Sequence, residues 1–339
     1  PAMRDTLAGG AANRTRQTAG NQLLMGTARF VAPDELDVDG RRVCAKAMVV
    51  ATGSRPLVPG FLRELGERVL TTDSLFALEQ LPRSIGILGA GAVGLEMAVA
   101  LSRLGVRVVA ADLRDAPAGI VDPVIAARAV NRFQDEITLW LGESAQVLPA
   151  PSGAEIRSGS KSEHVEVILA ALGRQPNLAA LDLPNAGAKP DAQGRFAANG
   201  STLRLPGTSI FLAGDVHPDR PLMHEAADEG LIAARGALAL LDGRTAPPAT
   251  RRVPVGIVFT DPDISSVGAS FDRLAPESTV IGSAEGAGNG RSRILHAESN
   301  LVRVYARSDD GLLLGASLLA EHGEHLAHQL AWAVQRGET

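Results

Sequence analysis

The chain has 339 residues, 45% of them hydrophobic and 21% charged, a length suited to about two or three folded domains. Its mean hydropathy of +0.08 excludes a disordered polyelectrolyte. With 33 basic against 38 acidic residues and only two Trp, one Tyr and eight Phe, it has neither the phosphate-neutralising surface nor the stacking platform of a general nucleic-acid binder. No apolar run approaches the roughly 18 residues of a membrane-spanning helix, and no basic segment with an apolar core opens the chain. No membrane partner and a cytoplasmic location are therefore expected.

Residues 1–20 are polar and rich in Gly, Ala and Arg, a helix or a frayed lead-in. From Gln22 the pattern turns to short strands: residues 23–25, residues 29–31, a turn at Pro33-Asp34, alternation over 36–38, a hairpin turn at Asp39-Gly40 and a further strand from Val43. The single cysteine, Cys44, rules out an intramolecular disulfide and a Cys-rich zinc site, and is expected to be a small buried apolar residue. The continuous apolar run 47–51 predicts a buried strand, stopped by Thr52-Gly53-Ser54-Arg55-Pro56.

After Pro82 comes a full βαβ pattern. A strand over 84–88 leads into Gly89-Ala90-Gly91-Ala92-Val93-Gly94, then a helix to about Leu104, a stop at Gly105 and a strand over 107–111. Val93, Met97, Leu101 and Leu104 predict one apolar helix stripe. A helix is expected over 124–140, strands over 145–148 and 165–172, and a polar hairpin connection over 152–162. A buried strand over 209–213 ends in Gly214-Asp215 and precedes a helix over 222–241. Residues 245–250, with Pro247-Pro248, form the best linker. Beyond it, strands over 254–259, 278–281, 301–306 and 312–318 and a helix over 324–336 read as an α+β end domain.

The glycine turn carries chemistry because of where it stands. It leaves a strand, opens a helix, and is followed by Asp112 at the end of the next strand. Gly89 permits the tight turn, Gly91 lets backbone approach a pyrophosphate, and Gly94 lets helix and strand pack closely. The phosphates then meet free N–H groups at the positive helix end, and Asp112 can accept the ribose 2′-OH. An acid there favours NAD over NADP; Arg114, two residues on, tempers that preference. Asp215 stands at a strand C-terminus, which faces the ligand side of an α/β sheet, and the following helix aims its N-terminus the same way.

The order of six segments extends this reading: A-T-G-S-R-P at 51–56, I-L-G-A-G-A-V-G-L-E at 87–96, A-L-G-R-Q-P-N at 171–177, F-L-A-G-D at 211–215, M-H-E-A-A-D-E-G at 223–230 and F-T-D-P-D-I-S-S-V-G at 259–268. Together they resemble the flavoprotein pyridine nucleotide-disulfide oxidoreductases, most closely the dihydrolipoyl dehydrogenase branch, over nearly the whole chain from about Leu23. The resemblance implies an α/β architecture: an incomplete FAD domain (1–81 and 178–250), an inserted Rossmann-type NAD domain (82–177) and a C-terminal α+β dimerisation domain (251–339). It also implies a homodimer.

By the same resemblance, Gly89, Ala90, Gly91, Ala92, Val93, Gly94 and Asp112 match the NAD site, and Glu96 matches an acid near the nicotinamide. Gly173 and Arg174 match the segment passing beside NAD. Ala51, Thr52 and Gly53 match the turn along FAD, and Gly214-Asp215 carries the carboxylate that holds a ribityl hydroxyl. Met223 and His224 match the helix start whose backbone meets the flavin pyrimidine edge, and Ala28 stands where a backbone contact to the FAD adenine is expected.

The family's chemistry runs from a lipoyl-type dithiol through a C-x-x-x-x-C disulfide and FAD to NAD. It uses an earlier G-x-G-x-x-G, a redox cysteine pair and a C-terminal H-P-x-x-x-E acid/base. None of these three occurs in the 339 residues. The expectation is thus a chain cut at both ends, with no catalytic residue of its own and no dithiol turnover. His322, His325 and His328 recur at every third position beside Glu321 and Glu324, but on an interface-domain helix no metal is expected from them. The rival readings are an NADH-linked reductase or transhydrogenase of the same superfamily, and a non-catalytic dinucleotide-binding or dimerising protein.

Overall fold

The computed structural model describes residues 2–217, 219–246 and 248–339, with Ala2 and Arg4 described by backbone alone. The chain divides into two compact units, 1–55 with 174–251 and 56–173 with 252–339.

The first unit opens with a polar helix, Ala2–Ala19. Residues 23–25, expected as a strand, have no regular structure. A three-stranded antiparallel meander follows, Ala28–Ala32, Glu35–Val38 and Arg41–Cys44. Its second turn has Asp39 at φ 47° and Gly40 at φ 89°, the paired left-handed conformation of a tight hairpin. Cys44 is exposed, contrary to expectation: it ends the outer strand of the meander, opposite Glu35, where nothing covers it. The strand Met48–Val50 pairs in parallel with Ile210–Leu212, and Met48, Val50, Ile210 and Leu212 are buried with Phe30, Leu183 and Val216.

The helix Met223–Leu241 lies on the second of these strands, close enough that a Cβ on Gly236 would stand 2.5 Å from the Phe211 ring. Arg251 locks its first turns, donating to Glu225 and Glu229 at 2.8 Å and to Asp219 at 3.0 Å. Of the expected linker, Pro247 lies outside the described residues, and its described neighbours have no regular structure.

The second unit is built on a five-stranded parallel sheet in the order Val69–Leu70, Val167–Ala170, Ser84–Leu88, Arg107–Asp112, Thr138–Leu141. The helix expected over 124–140 is Pro123–Phe133, and Thr138–Leu141 is a sheet strand. Pairing with the free side of Arg107–Asp112, which makes Thr138–Leu141 the edge strand, outweighs the helical reading of that apolar stretch. The expected hairpin connection over 152–162 holds a strand, Gly153–Ser158, the middle of a three-stranded antiparallel sheet with Ala145–Ala150 and Lys161–Val165. The expected strand over 165–172 is accordingly two, divided at Glu166.

A second five-stranded sheet, antiparallel, runs Val255–Val258, Asp263–Gly268, Leu313–Ala320, Leu301–Arg307, Thr279–Glu285, with the helix Gly323–Arg336 packed on it. Sequence reading missed Asp263–Gly268, an inner strand on which only Ser266 is exposed, so that it shows no apolar/polar alternation. The two five-stranded sheets of this unit share one core, in which Ile85, Leu95 and Val99 pack in the same cluster as Ile264, Leu301 and Leu319.

One buried carboxylate pins that core. Asp122 is 0% exposed and caps the helix Pro123–Phe133, accepting from the Val124 and Ile125 N–H groups. Its other oxygen accepts from Tyr305 Oη and Arg303 Nε, each at 2.7 Å. Burial pushes Asp122 up, but these donors outweigh it and hold the carboxyl below its ordinary range. Replacing it takes this acceptor from the half-buried Arg303 and from the buried Tyr305 phenol. Asp122→Ala should cost about 3–5 kcal/mol, read as a lower urea midpoint, and an effect under about 1 kcal/mol would contradict the assignment.

Two carboxyl pairs crowd the start of the helix Gly323–Arg336. Asp263 accepts the Glu324 N–H at 3.4 Å, and burial with the Glu324 carboxyl pushes it up to about 7. Burial and Asp261 likewise push Glu321 up to about 7. Glu324 and Asp261 are held low by hydrogen bonds from these protonated partners. A raised carboxyl binds more proton folded than unfolded, so the stability it contributes is full below the ordinary carboxyl range and is lost as pH rises through about 7. The D263N/E321Q variant should lose less melting temperature than its parent between about pH 5 and 8; an equal loss would place the dependence elsewhere.

Candidate functional site

The glycine turn is shaped by backbone meeting backbone. A Cβ on Gly94 would stand 1.8 Å from the Gly89 carbonyl oxygen, and one on Gly89, at φ 91°, 2.4 Å from the Ala171 carbonyl oxygen. The helix Ala92–Arg103 is thereby pressed onto the ends of Ser84–Leu88 and Val167–Ala170. This approach also sets which face is buried. Leu95, Ala98 and Val99 point inward, while Val93 and Leu104 of the expected stripe are 39% and 67% exposed.

Gly91 caps the helix without a side-chain hydrogen bond, so the first-turn N–H groups remain available to an anion. Beside them Asp112, 8% exposed, accepts the Ala90 N–H at 2.7 Å and the Arg114 N–H at 2.9 Å. The Arg114 guanidinium lies along the same carboxylate, with Nε at 3.3 Å from Oδ1 and Nη2 at 3.2 Å from Oδ2. Burial pushes Asp112 up, and the Arg114 and Ala90 donors prevail, keeping it ionised and low. Residues 117–119 fold against the turn through an Ala118 N–H to Ala90 carbonyl bond of 2.7 Å. Glu96, half-buried one turn into the helix, accepts the Phe259 N–H at 2.8 Å. Gly173, at φ 105°, accepts the Leu57 N–H at 3.0 Å.

The first unit gathers a separate group. Asp215 follows Gly214 (φ 74°) at the end of Ile210–Leu212 and accepts from Ser54 Oγ at 2.9 Å. Arg174 donates to Ser54 Oγ at 2.7 Å and to the Ser54 carbonyl at 2.9 Å, with its Nε 3.8 Å from Asp215. Arg174 is thus joined to the flavin-side residues of the sequence reading. Thr52 donates to the Asn177 carbonyl at 2.8 Å, Asn177 returns a side-chain bond to the Thr52 carbonyl at 3.0 Å, and the Asn177 N–H bonds the Gly53 carbonyl at 2.9 Å. Ala51 is exposed at the head of this turn. The Gly214 N–H is held by Glu229 at 2.8 Å.

Met223 and His224 begin their helix exposed, and Leu222 provides no side-chain cap, leaving N–H groups for an electron-rich ligand edge. Ala28 lies in the meander, half-buried and paired with Val38. Ser54 and Asn177 were not singled out from sequence; their only signal was position inside the segments 51–56 and 171–177. His322 and His325 stack at 6.5 Å, and His328 Nδ1 lies 2.7 Å from the Glu324 carbonyl.

The pyridine nucleotide-disulphide oxidoreductase family model matches residues 5–230, and the dimerisation-domain model of the same family matches 254–339. The chain belongs to the pyridine nucleotide-disulphide oxidoreductases. Among these oxidoreductases, dihydrolipoyl dehydrogenase of Halobacterium salinarum is 30% identical over 99% of this chain and 73% of the relative. Dihydrolipoyl dehydrogenase 2 of Haloarcula marismortui is 30% identical over 95% of this chain and 70% of the relative. The fold is shared with LpdA from Mycobacterium tuberculosis (TM-score 0.84, 24% identity, 99% of this chain and 76% of that one). It is shared too with the HOCl-induced flavoprotein disulfide reductase RclA from Escherichia coli (TM-score 0.81, 22% identity, 93% and 73%). Enzymes of this family use FAD and NAD(H). Among the described residues no helix is long and apolar enough to cross a membrane.

Two glycines of the turn should respond differently. Gly94→Ala drives a Cβ into backbone and should cost at least about 3 kcal/mol. Gly91→Ala meets only the Arg114 Nη2, at 3.2 Å, and should stay within about 1 kcal/mol. Paired urea melts of the two variants check this contrast.

Proposed function

We propose that the chain belongs to a flavoprotein oxidoreductase of the dihydrolipoyl dehydrogenase type, which passes electrons between a dithiol/disulfide, FAD and NAD. The observation that carries the reading is the uncapped helix start above Gly91 with the ionised Asp112 beside it, a site suited to pyrophosphate and ribose. Gly89, Ala90, Gly91, Ala92, Val93 and Gly94 would cradle the NAD phosphates, with Glu96 and Gly173 toward the nicotinamide. Ala28, Ala51, Thr52, Gly53, Gly214, Asp215, Met223 and His224 would line the flavin side, and the Ser54 and Arg174 contacts would orient Asp215 there.

FAD, when bound, would supply two-electron redox chemistry between a dithiol/disulfide and NAD. This chain's residues would bind and orient: helix-start N–H groups for phosphate and for the flavin edge, and carboxylates for sugar hydroxyls. We further propose a cytoplasmic homodimer, joined through residues 251–339, with 82–177 as the NAD domain and 1–81 with 178–250 as the FAD-binding part. The match of residues 254–339 to the dimerisation-domain model supports the dimer.

A second reading has a specific observation behind it: the chain's one cysteine is exposed and free, so these residues by themselves carry no redox dithiol pair. The chain alone would then bind dinucleotide without turning over a dithiol. Calorimetry with NADH and an assay with dihydrolipoamide and NAD test both readings. Binding without NADH formation is expected. Dihydrolipoamide-dependent NADH formation would overturn the inactivity, and absence of NADH binding would overturn the site.

A further inference from the structure

We propose that the C-terminal half of the helix Met223–Leu241 is the floor of a further binding site, one for a small carboxylate with an apolar body, whose carboxylate pairs with Arg235. The site lies within the first unit and shares no residue with the coenzyme groups described above.

The site is a cleft of about 480 Å³, within the roughly 300–1,000 Å³ of small-molecule pockets. Its floor is one helix face, since Ile232, Arg235, Gly236 and Ala239 fall at i, i+3, i+4 and i+7. Gly236 gives the floor its depth. With no side chain it lets the helix sit directly on Phe211, whose ring would be 2.5 Å from a Cβ there.

Two other walls close around this face, and each is held by its own bonds. In the turn 199–202 the Asn199 side chain accepts the Ser201 and Thr202 N–H groups, both at 3.0 Å, and the Thr202 hydroxyl at 3.2 Å. Leu203 then takes a left-handed backbone, φ 58°, and is fully buried in one cluster with Phe211 and Ala233, which anchors the turn beside the helix. The segment after the helix returns across it. The Arg244 N–H is tied to the Ala239 carbonyl at 2.8 Å and the Ala249 N–H to the Ser201 carbonyl at 3.1 Å. A cleft already held open by backbone bonds asks little reorganisation of a ligand.

The lining decides the class of ligand. Ile232, Leu238, Ala239 and Pro248 make most of it apolar, and Leu238 is 61% exposed there, so the body that fits is apolar. Of the two arginines at the cleft, Arg244 is paired with Asp242, whereas Arg235 has no ion-pair or hydrogen-bond partner among the described residues. One positive charge is thus left unbalanced. Ser201 adds a second donor: its N–H and carbonyl are engaged, and its half-buried hydroxyl is unpaired among the described residues. A carboxylate accepts from a guanidinium fork and a hydroxyl together. A neutral ligand leaves the fork unused, and a cation is repelled by it.

The test is calorimetric titration of the full chain with octanoate and, separately, with 1-octanol, repeated on R235A, R235K and S201A, with a thermal melt of each variant to confirm folding. Arg235 is exposed and unpaired, so R235A should melt with the parent. The parent should bind octanoate at least about tenfold more tightly than 1-octanol, the effect of charge-assisted hydrogen bonds. R235A should lose about tenfold for octanoate and nothing for 1-octanol. R235K, which keeps the charge and loses the fork, should fall between, and S201A should weaken octanoate about two- to fivefold. A parent that does not bind octanoate has no such site. Equal affinity for octanoate and 1-octanol, or an R235A variant that binds octanoate as the parent does, would overturn the pairing at Arg235.

Discussion

The close approach of Gly94 to the Gly89 carbonyl, with Gly89 itself against Ala171, is the contact on which the geometry of the glycine turn depends. It brings a helix start, a strand end and the neighbouring strand within van der Waals range of one another with no side chain between them. The consequences are geometric. The first-turn N–H groups open outward, Ala90 is buried and its N–H finds Asp112, and residues 117–119 have a fixed surface to fold against. Any side chain at Gly94 would lift the helix, and the acceptor, the free N–H groups and the covering arginine would lose their registry together.

A different kind of constraint holds the second unit together as a whole. Its parallel and antiparallel sheets share apolar residues in a single cluster, which is non-directional, so an orienting interaction is needed as well. Asp122 provides it by using both carboxylate oxygens: one caps a helix beside the parallel sheet, the other takes a phenol and a guanidinium from the antiparallel sheet. A buried charge is tolerated only because each of these donors is directed at it. Tyr305 is fully buried, and burial first, with the carboxylate beside it, pushes its phenol up, so it remains a donor.

Much of this was legible in order along the chain. The βαβ pattern around the glycine turn, the Asp39-Gly40 hairpin and the helix Met223–Leu241 all follow from neighbouring residues, since turn chemistry and periodicity are local. Where reading failed, a distant partner had intervened. Leu95, Ala98 and Val99 replaced Val93 and Leu104 on the buried face because contact at Gly94 sets the helix rotation. Thr138–Leu141 became a strand because Arg107–Asp112 had an open edge. Asp263–Gly268 has no alternation to read because it is an inner strand with four of its six residues buried, polar Asp263 and Ser265 among them. Cys44 resembled a core residue in composition and proved exposed on an outer strand.

By itself the sequence determined the order of the cofactor-type segments, the glycine spacing with its acid eighteen residues after Gly94, and a cysteine count of one. These are properties of residue identity and short spacing, and they suffice to name the family. Tertiary structure decided who those residues meet. Arg174 was read as an NAD-side residue and is bonded to Ser54 beside Asp215; Glu96 holds the Phe259 N–H; Asp112 carries the Arg114 fork. The physical reason is that hydrogen bonds to a carboxylate are made by whichever donor the closed chain delivers. Spacing along a strand constrains that choice weakly, and packing constrains it almost completely.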